Sequence, residues 1–422
     1  MLFELEFGDE NVDNYLTIKN GYIYNVDNGV FEHKDILIKN GVIVKVDNRI
    51  EFDAKQEIDA TNHLIMPGFV NSHIHFGEFF LSGYKNKLTT KQYIRFAENF
   101  NDKNVSNKSK IWEKSAAICT FEALKHGQTT LVGIRGWNFL EEFNARLYMG
   151  YPLMDSNKLR EYLINSFSRF ESLKRSELNH YYIFLHSLLT VNENVVKELS
   201  KYIKNKNILL GIHVSESRYE NNYIKKKYGL TPIELLNKFN LLNKNTILIH
   251  CCYLNNNDIK IIKDAGCTIS LNPNSNLKLK NRVPNIKKLE GINLCVGTDG
   301  IATNGNLNIL NDCKTLGLLY DIKDVDLIKM ITVNPAVFLN NNIGNIKEGY
   351  KADLNIYDLN DHRIVRKETF INNLIYSSEI LPKYVIINGR KIIDKYKNIV
   401  FNEERFLNLN CDNIEIKYSQ KE

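Results

Sequence analysis

A chain of 422 residues with 43% hydrophobic and 25% charged side chains has ordinary globular usage, which excludes a disordered, collagen-like or coiled-coil protein. Its 55 Lys and Arg against 49 Asp and Glu leave a net charge of +6. The lysine clusters at 201–206, 225–227, 278–280 and 287–288 are scattered rather than drawn into one basic stripe, which argues against a nucleic-acid partner.

No run of about 18 apolar residues suggests a membrane span. The start, Met1 to Glu10, carries acids where a secretory signal carries bases. The seven cysteines lack CxxC spacing and mostly sit in apolar runs, so a cytoplasmic protein with reduced, buried thiols is expected. At about 150 residues per domain the length suits two or three domains, although an α/β barrel can absorb most of it alone.

The first sixty or so residues read as short strands at 15–18, 22–25, 36–39, 42–46 and 57–59, broken at Asn20-Gly21 and Asn40-Gly41. The middle of the chain then alternates. Eight apolar, β-branched runs end in polar or small residues, at 64–73, 129–134, 147–153, 181–188, 208–213, 246–250, 268–271 and 293–297. Helical patterns fall between them, including 111–126, 159–173, 195–204, 232–240 and 257–264, with Thr231 before Pro232 as an N-cap and first-turn signal. Eight βα units make a TIM-type (β/α)8 barrel, expected over residues 66–349. Strand patterns return at 353–357, 384–387 and 391–394, with a turn at Asn388-Gly389. Both chain ends therefore predict one composite β-sandwich domain, residues 1–65 plus 350–422, around the barrel.

In such a barrel the chemistry sits at the C-terminal ends of the strands. Four strand ends carry histidine or aspartate: Asn71-Ser72-His73-Ile74-His75, Gly211-Ile212-His213, Ile249-His250 and Gly297-Thr298-Asp299. Side chains along a strand repeat every two residues, so His73 and His75 leave one face and can grip one ion with two imidazoles. A lone histidine such as His126 or His186 is more often a hydrogen-bonded surface or core residue. The four strand ends taken together are not so explained. Three histidines and an aspartate with a position open to water suit catalytic zinc or iron. No Walker-type or dinucleotide glycine motif accompanies them, so NAD and ATP are not expected.

These residues resemble the amidohydrolase superfamily, and within it the branch of methylthioadenosine/S-adenosylhomocysteine deaminases, guanine deaminases and triazine chlorohydrolases. The resemblance rests on Met66-Pro67-Gly68-Phe69-Val70-Asn71-Ser72-His73-Ile74-His75, His213-Val214-Ser215-Glu216, His250-Cys251, Asn272-Pro273-Asn274-Ser275-Asn276-Leu277-Lys278-Leu279, and Gly297-Thr298-Asp299-Gly300 running to Asn304. The segment 346–354, with Lys351-Ala352-Asp353-Leu354, looks like the family's return into the β-domain.

The resemblance implies metal ligands His73, His75, His213 and Asp299. It also implies Glu216 as proton shuttle, and His250 beside the metal to orient the bound water or the departing group. Some superfamily members bridge two metals with a carboxylated lysine on the fourth strand. The run 181–188 has no lysine and carries His186 instead, in a position to offer an imidazole to substrate. One divalent metal is therefore expected, zinc ahead of iron(II) or manganese.

The ion would activate water to hydroxide, Asp299 would take the water's proton, and Glu216 would protonate a ring nitrogen as ammonia leaves. The implied activity is hydrolytic deamination of an adenine-type nucleoside or similar heterocyclic amine. The alternatives are a guanine or other nucleobase deaminase, a triazine-type chlorohydrolase, and a non-catalytic scaffold. The expected partners are that small molecule and water, with a homodimer or higher homo-oligomer left open.

Substrate choice should lie in the loops after the first, third and fourth barrel strands. Ser82 and Gly150 stand where the resemblance leads one to expect arginines, which weakens the case for a substrate with an amino-acid tail; Lys85 or Lys87 are the available substitutes. Phe76, Phe79, Phe80, Tyr84 and Trp137 suggest an aromatic mouth. Trp137 and Asn304 join His186 as candidate substrate contacts, and Glu98 or Asp102 is the candidate ribose-binding acid.

Overall fold

A computed structural model of the chain describes residues 14–83, 87–103, 108–134, 143–153, 159–377 and 380–400. The strands preceding the barrel are β1 (Tyr15–Asn25), β2 (Val30–Lys39), β3 (Val42–Asp47), β4 (Gln56–Asp59) and β5 (His63–Pro67). The barrel strands follow as β6 (Phe69–His75), β7 (Gln128–Ile134), β8 (Arg146–Leu153), β9 (Asn179–Ser187), β10 (Leu210–Val214), β11 (Thr246–His250), β12 (Thr268–Leu271), β13 (Asn293–Val296) and the two-residue β14 (Asp299–Gly300). After them come β15 (Leu354–Asp358), β16 (Tyr384–Ile387), β17 (Arg390–Asp394) and β18 (Lys397–Asn398).

The strands of both chain parts build one mixed sheet in the order β18-β17-β16-β15-β5-β1-β2-β3, with β4 also on β1. Val42 of β3 bridges Lys351 just ahead of β15, so the sheet curls back and its halves face one another over Ile18, Ile36, Ile43, Ile65, Leu354 and Ile386. The stretches 1–13 and 401–422 of the expected composite domain lie outside the described residues.

Two expected strand boundaries change. Residues 15–18 and 22–25 run together as β1, because Asn20 takes a left-handed φ of 62° and forms a bulge, with a register shift between Ile18 and Gly21, instead of reversing the chain. The run 64–73 divides at Gly68, so that β5 joins the curled sheet and β6 opens the barrel. Gly68 N–H donates to the Asp353 carbonyl at 2.8 Å, and a Cβ at Gly68 would collide with the Thr129 side chain. Glycine is needed where the chain passes this closely from one sheet to the other.

β6 to β13 are parallel neighbours in chain order, and β14 pairs with Ile74 and His75 of β6 to close the cylinder. Every residue of β6, β7, β10 and β11 is buried, as a parallel sheet covered by helices requires. The covering helices are amphipathic: Glu193–Ile203 turns Val195, Val196, Leu199 and Ile203 inward. Pro232–Lys238 starts with the expected cap, a reciprocal box in which Thr231 Oγ1 accepts from Glu234 N–H and Glu234 accepts from Thr231 N–H. No helix among the described residues is long and apolar enough to cross a membrane.

A buried ion pair ties the lower rim of the barrel to the curled sheet. Arg146, the first residue of β8, is fully buried and forks onto Asp353, with Nε and Nη2 at 2.7 and 3.0 Å from its two carboxylate oxygens. Asp353 also accepts the Asn388 N–H at 2.8 Å. The return motif thus does mechanical work at the seam between barrel and sheet.

Candidate metal centre

His73 and His75 close β6, His213 lies near the end of β10, and Asp299 opens β14. All four are buried, and their ligand atoms lie within 4.8 Å of one another. His73 Nε2 is 2.9 Å from His75 Nε2 and 3.0 Å from His213 Nε2, and the third edge, His75 to His213, is 3.3 Å. Asp299 Oδ1 stands 3.1 Å from His75 Nε2 and 3.5 Å from His73 Nε2.

The outer nitrogens show what these short contacts mean. His75 Nδ1 is 2.7 Å from Glu78 Oε1, and His213 Nδ1 is 2.9 Å from the His186 carbonyl. Those acceptors place the ring protons outside, so the Nε2 lone pairs of both rings converge with no proton between them. Asp299 Oδ1 is likewise buried without a hydrogen-bond partner. Ligands about 2.0–2.2 Å from a tetrahedral ion are roughly 3.3 Å apart, so the observed edges fit a metal site.

The surroundings favour the ligand states a metal needs. Burial pushes the His73 imidazole down to about 4 against the pull of Asp299, and burial together with the neighbouring histidines holds His213 well below its usual range. Burial alone would raise the Asp299 carboxyl, but His75, His73 and His250 outweigh it and hold it well below the usual carboxylate range. Neutral imidazoles and an ionised carboxylate are the coordinating forms.

Asp299 is aimed by its neighbours. It sits at a φ of 63°, and its Oδ2 accepts from Ser275 Oγ at 2.5 Å and Thr303 Oγ1 at 2.9 Å, which leaves Oδ1 for the ion. Ser275 and Asn276 belong to the short helix Pro273–Lys278, and Asn276 Oδ1 lies 2.9 Å from His250 Nδ1. The Asn-Pro-Asn-Ser-Asn motif therefore orients a ligand and the histidine beside it. His250 itself has a φ of 75°, the kind of strain that clusters at active sites.

Glu216 Oε2 is 4.0 Å from His250 Nε2, and the Glu216 side chain is 12% exposed. Burial raises its carboxyl, and Asp299 adds to the rise while His250 and a hydrogen bond from Thr90 oppose it. Glu216 and His250 line a cavity of about 160 Å³ that reaches His75, His213 and Asp299, together with Glu78, Thr90, Tyr93 and His186. A larger cavity of about 430 Å³ opens among Tyr148, His180, Leu209 and Asn245, at the opposite, N-terminal ends of the strands.

The remaining expected contacts divide. His186 lines the cavity, with Nδ1 2.7 Å from Thr190 Oγ1. Asn304 is absent from its wall: its Nδ2 donates to the Thr298 carbonyl and to Asp312, each at 2.8 Å, which ties the short helix Ile301–Asn304 to the helix Ile309–Leu319. Phe76 is fully buried against Gly133, where a Cβ would collide with its ring, and belongs to the core rather than the mouth. Phe79 and Phe80 are half-buried and absent from the cavity wall.

Gly150 is packed under Ile134, Tyr182 and Phe184, at 2.8 to 3.0 Å from where a Cβ would stand, so an arginine could not occupy that position. Lys87 is exposed. Trp137, Tyr84 and Lys85, and the side chains of Glu98 and Asp102, lie outside the described residues. Glu78 is the acid that the sequence reading passed over. Its signal is the His-x-x-Glu spacing from His75, and it is 1% exposed with its second oxygen accepting from Tyr93 OH at 2.8 Å.

A model of the Amidohydrolase family matches residues 64–392. The chain is 29% identical over 422 residues to the 5-methylthioadenosine/S-adenosylhomocysteine deaminase of Pyrococcus furiosus, covering 91% of this chain and 100% of that one. It is 28% identical over 379 residues to the 5'-deoxyadenosine deaminase of Methanopyrus kandleri, covering 84% and 87%. Among solved structures it is similar to an adenosine deaminase from Xanthomonas campestris with bound zinc, with a TM-score of 0.86 at 21% identity over 93% of this chain and 96% of that one. A curled two-part sheet domain, a barrel with its metal site at the strand ends, and a family match over most of its length place this chain in the amidohydrolase family.

Proposed function

We propose that the protein is a hydrolytic deaminase that releases ammonia from a neutral adenine-type nucleoside. The observation that carries this is the convergence of His73, His75 and His213 Nε2 with Asp299 Oδ1 beneath a cavity walled by Glu216 and His250. The names of its relatives support the choice of an adenine-type substrate.

A divalent ion in this site, zinc by the nitrogen and oxygen donor set, lowers the pKa of water enough to supply a nucleophile near neutral pH. The protein's own groups do the rest. Asp299, ionised and anchored through Oδ2, accepts the proton of the incoming water. Glu216, whose carboxyl is raised by burial, delivers a proton to the ring nitrogen next to the carbon under attack. Addition of water across that C=N bond makes a tetrahedral carbon. The bond to the exocyclic nitrogen then breaks: Asp299 returns the water's first proton to that nitrogen, which leaves as ammonia, the hydroxyl on the carbon gives its remaining proton back to Glu216, and a lactam remains. His250, whose Nδ1–H donates to Asn276 Oδ1 at 2.9 Å, keeps the Nε2 lone pair as an acceptor for a hydrogen of the water or amine at that carbon.

Among the described residues the cavity wall has no lysine or arginine and four carboxylates, those of Glu78, Glu216, Glu220 and Asp299. A substrate carboxylate would find no guanidinium fork there. The test is ammonia release from adenosine, 5′-deoxyadenosine, methylthioadenosine, adenosylhomocysteine, guanine and cytosine on one metal-loaded preparation. A kcat/KM highest for a neutral nucleoside is expected; highest turnover of adenosylhomocysteine or of a free base would overturn the assignment.

A further inference from the structure

Glu216 is held by a chain of hydrogen bonds that crosses the cavity wall. Asn281 Nδ2 donates to Thr90 Oγ1 at 2.8 Å, and Thr90 Oγ1 donates to Glu216 Oε1 at 3.0 Å. An amide N–H only donates, so the hydroxyl accepts from Asn281, which leaves its single proton to point at Glu216 Oε1. Thr90 is 5% exposed and opens the helix Thr90–Lys103. Glu216's other oxygen, Oε2, is the one that faces His250 Nε2 at 4.0 Å. The two oxygens of the carboxyl group are thereby made inequivalent.

We propose that Thr90 is a positioning residue that assigns proton transfer to Glu216 Oε2. With Oε1 occupied as an acceptor, the carboxyl group cannot rotate freely, and the acidic proton resides on the oxygen that faces the ring nitrogen of the substrate. The proposal rests on the reading of Glu216 as the general acid. A carboxyl group free to turn would present its proton in the productive direction for only part of the time, which lowers the rate of the step without loosening substrate binding. A structural role for Thr90 alone would instead lower stability or metal content, or raise KM.

The test compares wild type, Thr90→Val, Thr90→Ser and Glu216→Gln as metal-loaded, full-length enzymes on 5′-deoxyadenosine and methylthioadenosine, with metal content and thermal unfolding recorded for each. Thr90→Val keeps the shape and removes the donor, so kcat should fall roughly 10-fold with KM within about twofold, as expected for a lost buried hydrogen bond. Thr90→Ser restores the donor and should recover most of kcat. Should the valine variant fold poorly, Asn281→Ala removes the group that orients the hydroxyl and should lower kcat in the same direction with KM unchanged. Wild-type kcat in Thr90→Val, or a fall that Ser does not reverse, alongside an inactive Glu216→Gln, overturns the positioning role alone. An active Glu216→Gln overturns the reading of Glu216 itself, and the role of Thr90 with it.

Discussion

Glu78 Oε1 lies 2.7 Å from His75 Nδ1, on the side of the imidazole away from the other three ligands. This contact fixes the tautomer, turns Nε2 inward and makes the ring a better donor to a cation. Tyr93 OH on the other carboxylate oxygen, at 2.8 Å, keeps Glu78 in place.

Glu78→Gln should therefore weaken metal binding by roughly 10- to 100-fold, the usual effect of losing such an outer partner. Competition with a chromophoric chelator measures it directly. Affinity equal to wild type would mean that His75 needs no help from Glu78.

Glu216→Gln keeps the size and shape of the side chain but cannot donate or accept a proton as an acid does. A loss in kcat of roughly 10²-fold or more is expected, with metal content unchanged. Turnover near wild type, at equal metal content, would remove Glu216 from the reaction.

Glu220 gives the chain a pH-dependent stability. It is 2% exposed, with its carboxyl pushed up to about 8 by burial, against the hydrogen bonds it accepts from Glu216, Ser215 and Ser217 N–H. Because the folded state holds its proton more tightly than the unfolded state, its contribution is fully present below the ordinary value of 4.5 and is lost as pH rises toward about 8. Glu220→Gln should flatten the fall in the urea midpoint between pH 6 and 9 relative to wild type. An unchanged pH dependence would show that the carboxyl titrates normally in the folded protein.

The pair between Arg146 and Asp353 is both buried and bidentate. Removing one partner leaves a charge without compensation in the interior, so Arg146→Met should cost about 3–5 kcal/mol in denaturant unfolding. The double variant Arg146→Met, Asp353→Leu should recover part of that loss. A single variant within about 1 kcal/mol of wild type would mean that water reaches the seam.

The sequence by itself determined the eight-strand alternation, the sheet strands at both chain parts and which four side chains, His73, His75, His213 and Asp299, end up together. These are local properties: a period of two fixes which face His73 and His75 share, and an apolar run fixes where a strand ends. The spacing of Glu78 from His75 was legible too, but spacing alone does not distinguish a loop acid facing solvent from one facing a ring.

Only the tertiary structure decided what the neighbouring polar groups do. Thr90 and Glu216 are 126 residues apart, and Asn281 and Thr90 are 191 apart, so their meeting depends on how the closed barrel brings its loops together. Asn304 has the chemistry to bind a substrate, yet its amide is turned to Asp312 of the following helix, Ile309–Leu319. Phe76 directly follows His75, yet it points into the core because Gly133 on the adjacent strand leaves room for its ring. A side chain's type and its place along a strand are written in the chain; the partner it meets across the barrel is set by packing, where one missing Cβ or one neighbouring helix redirects it.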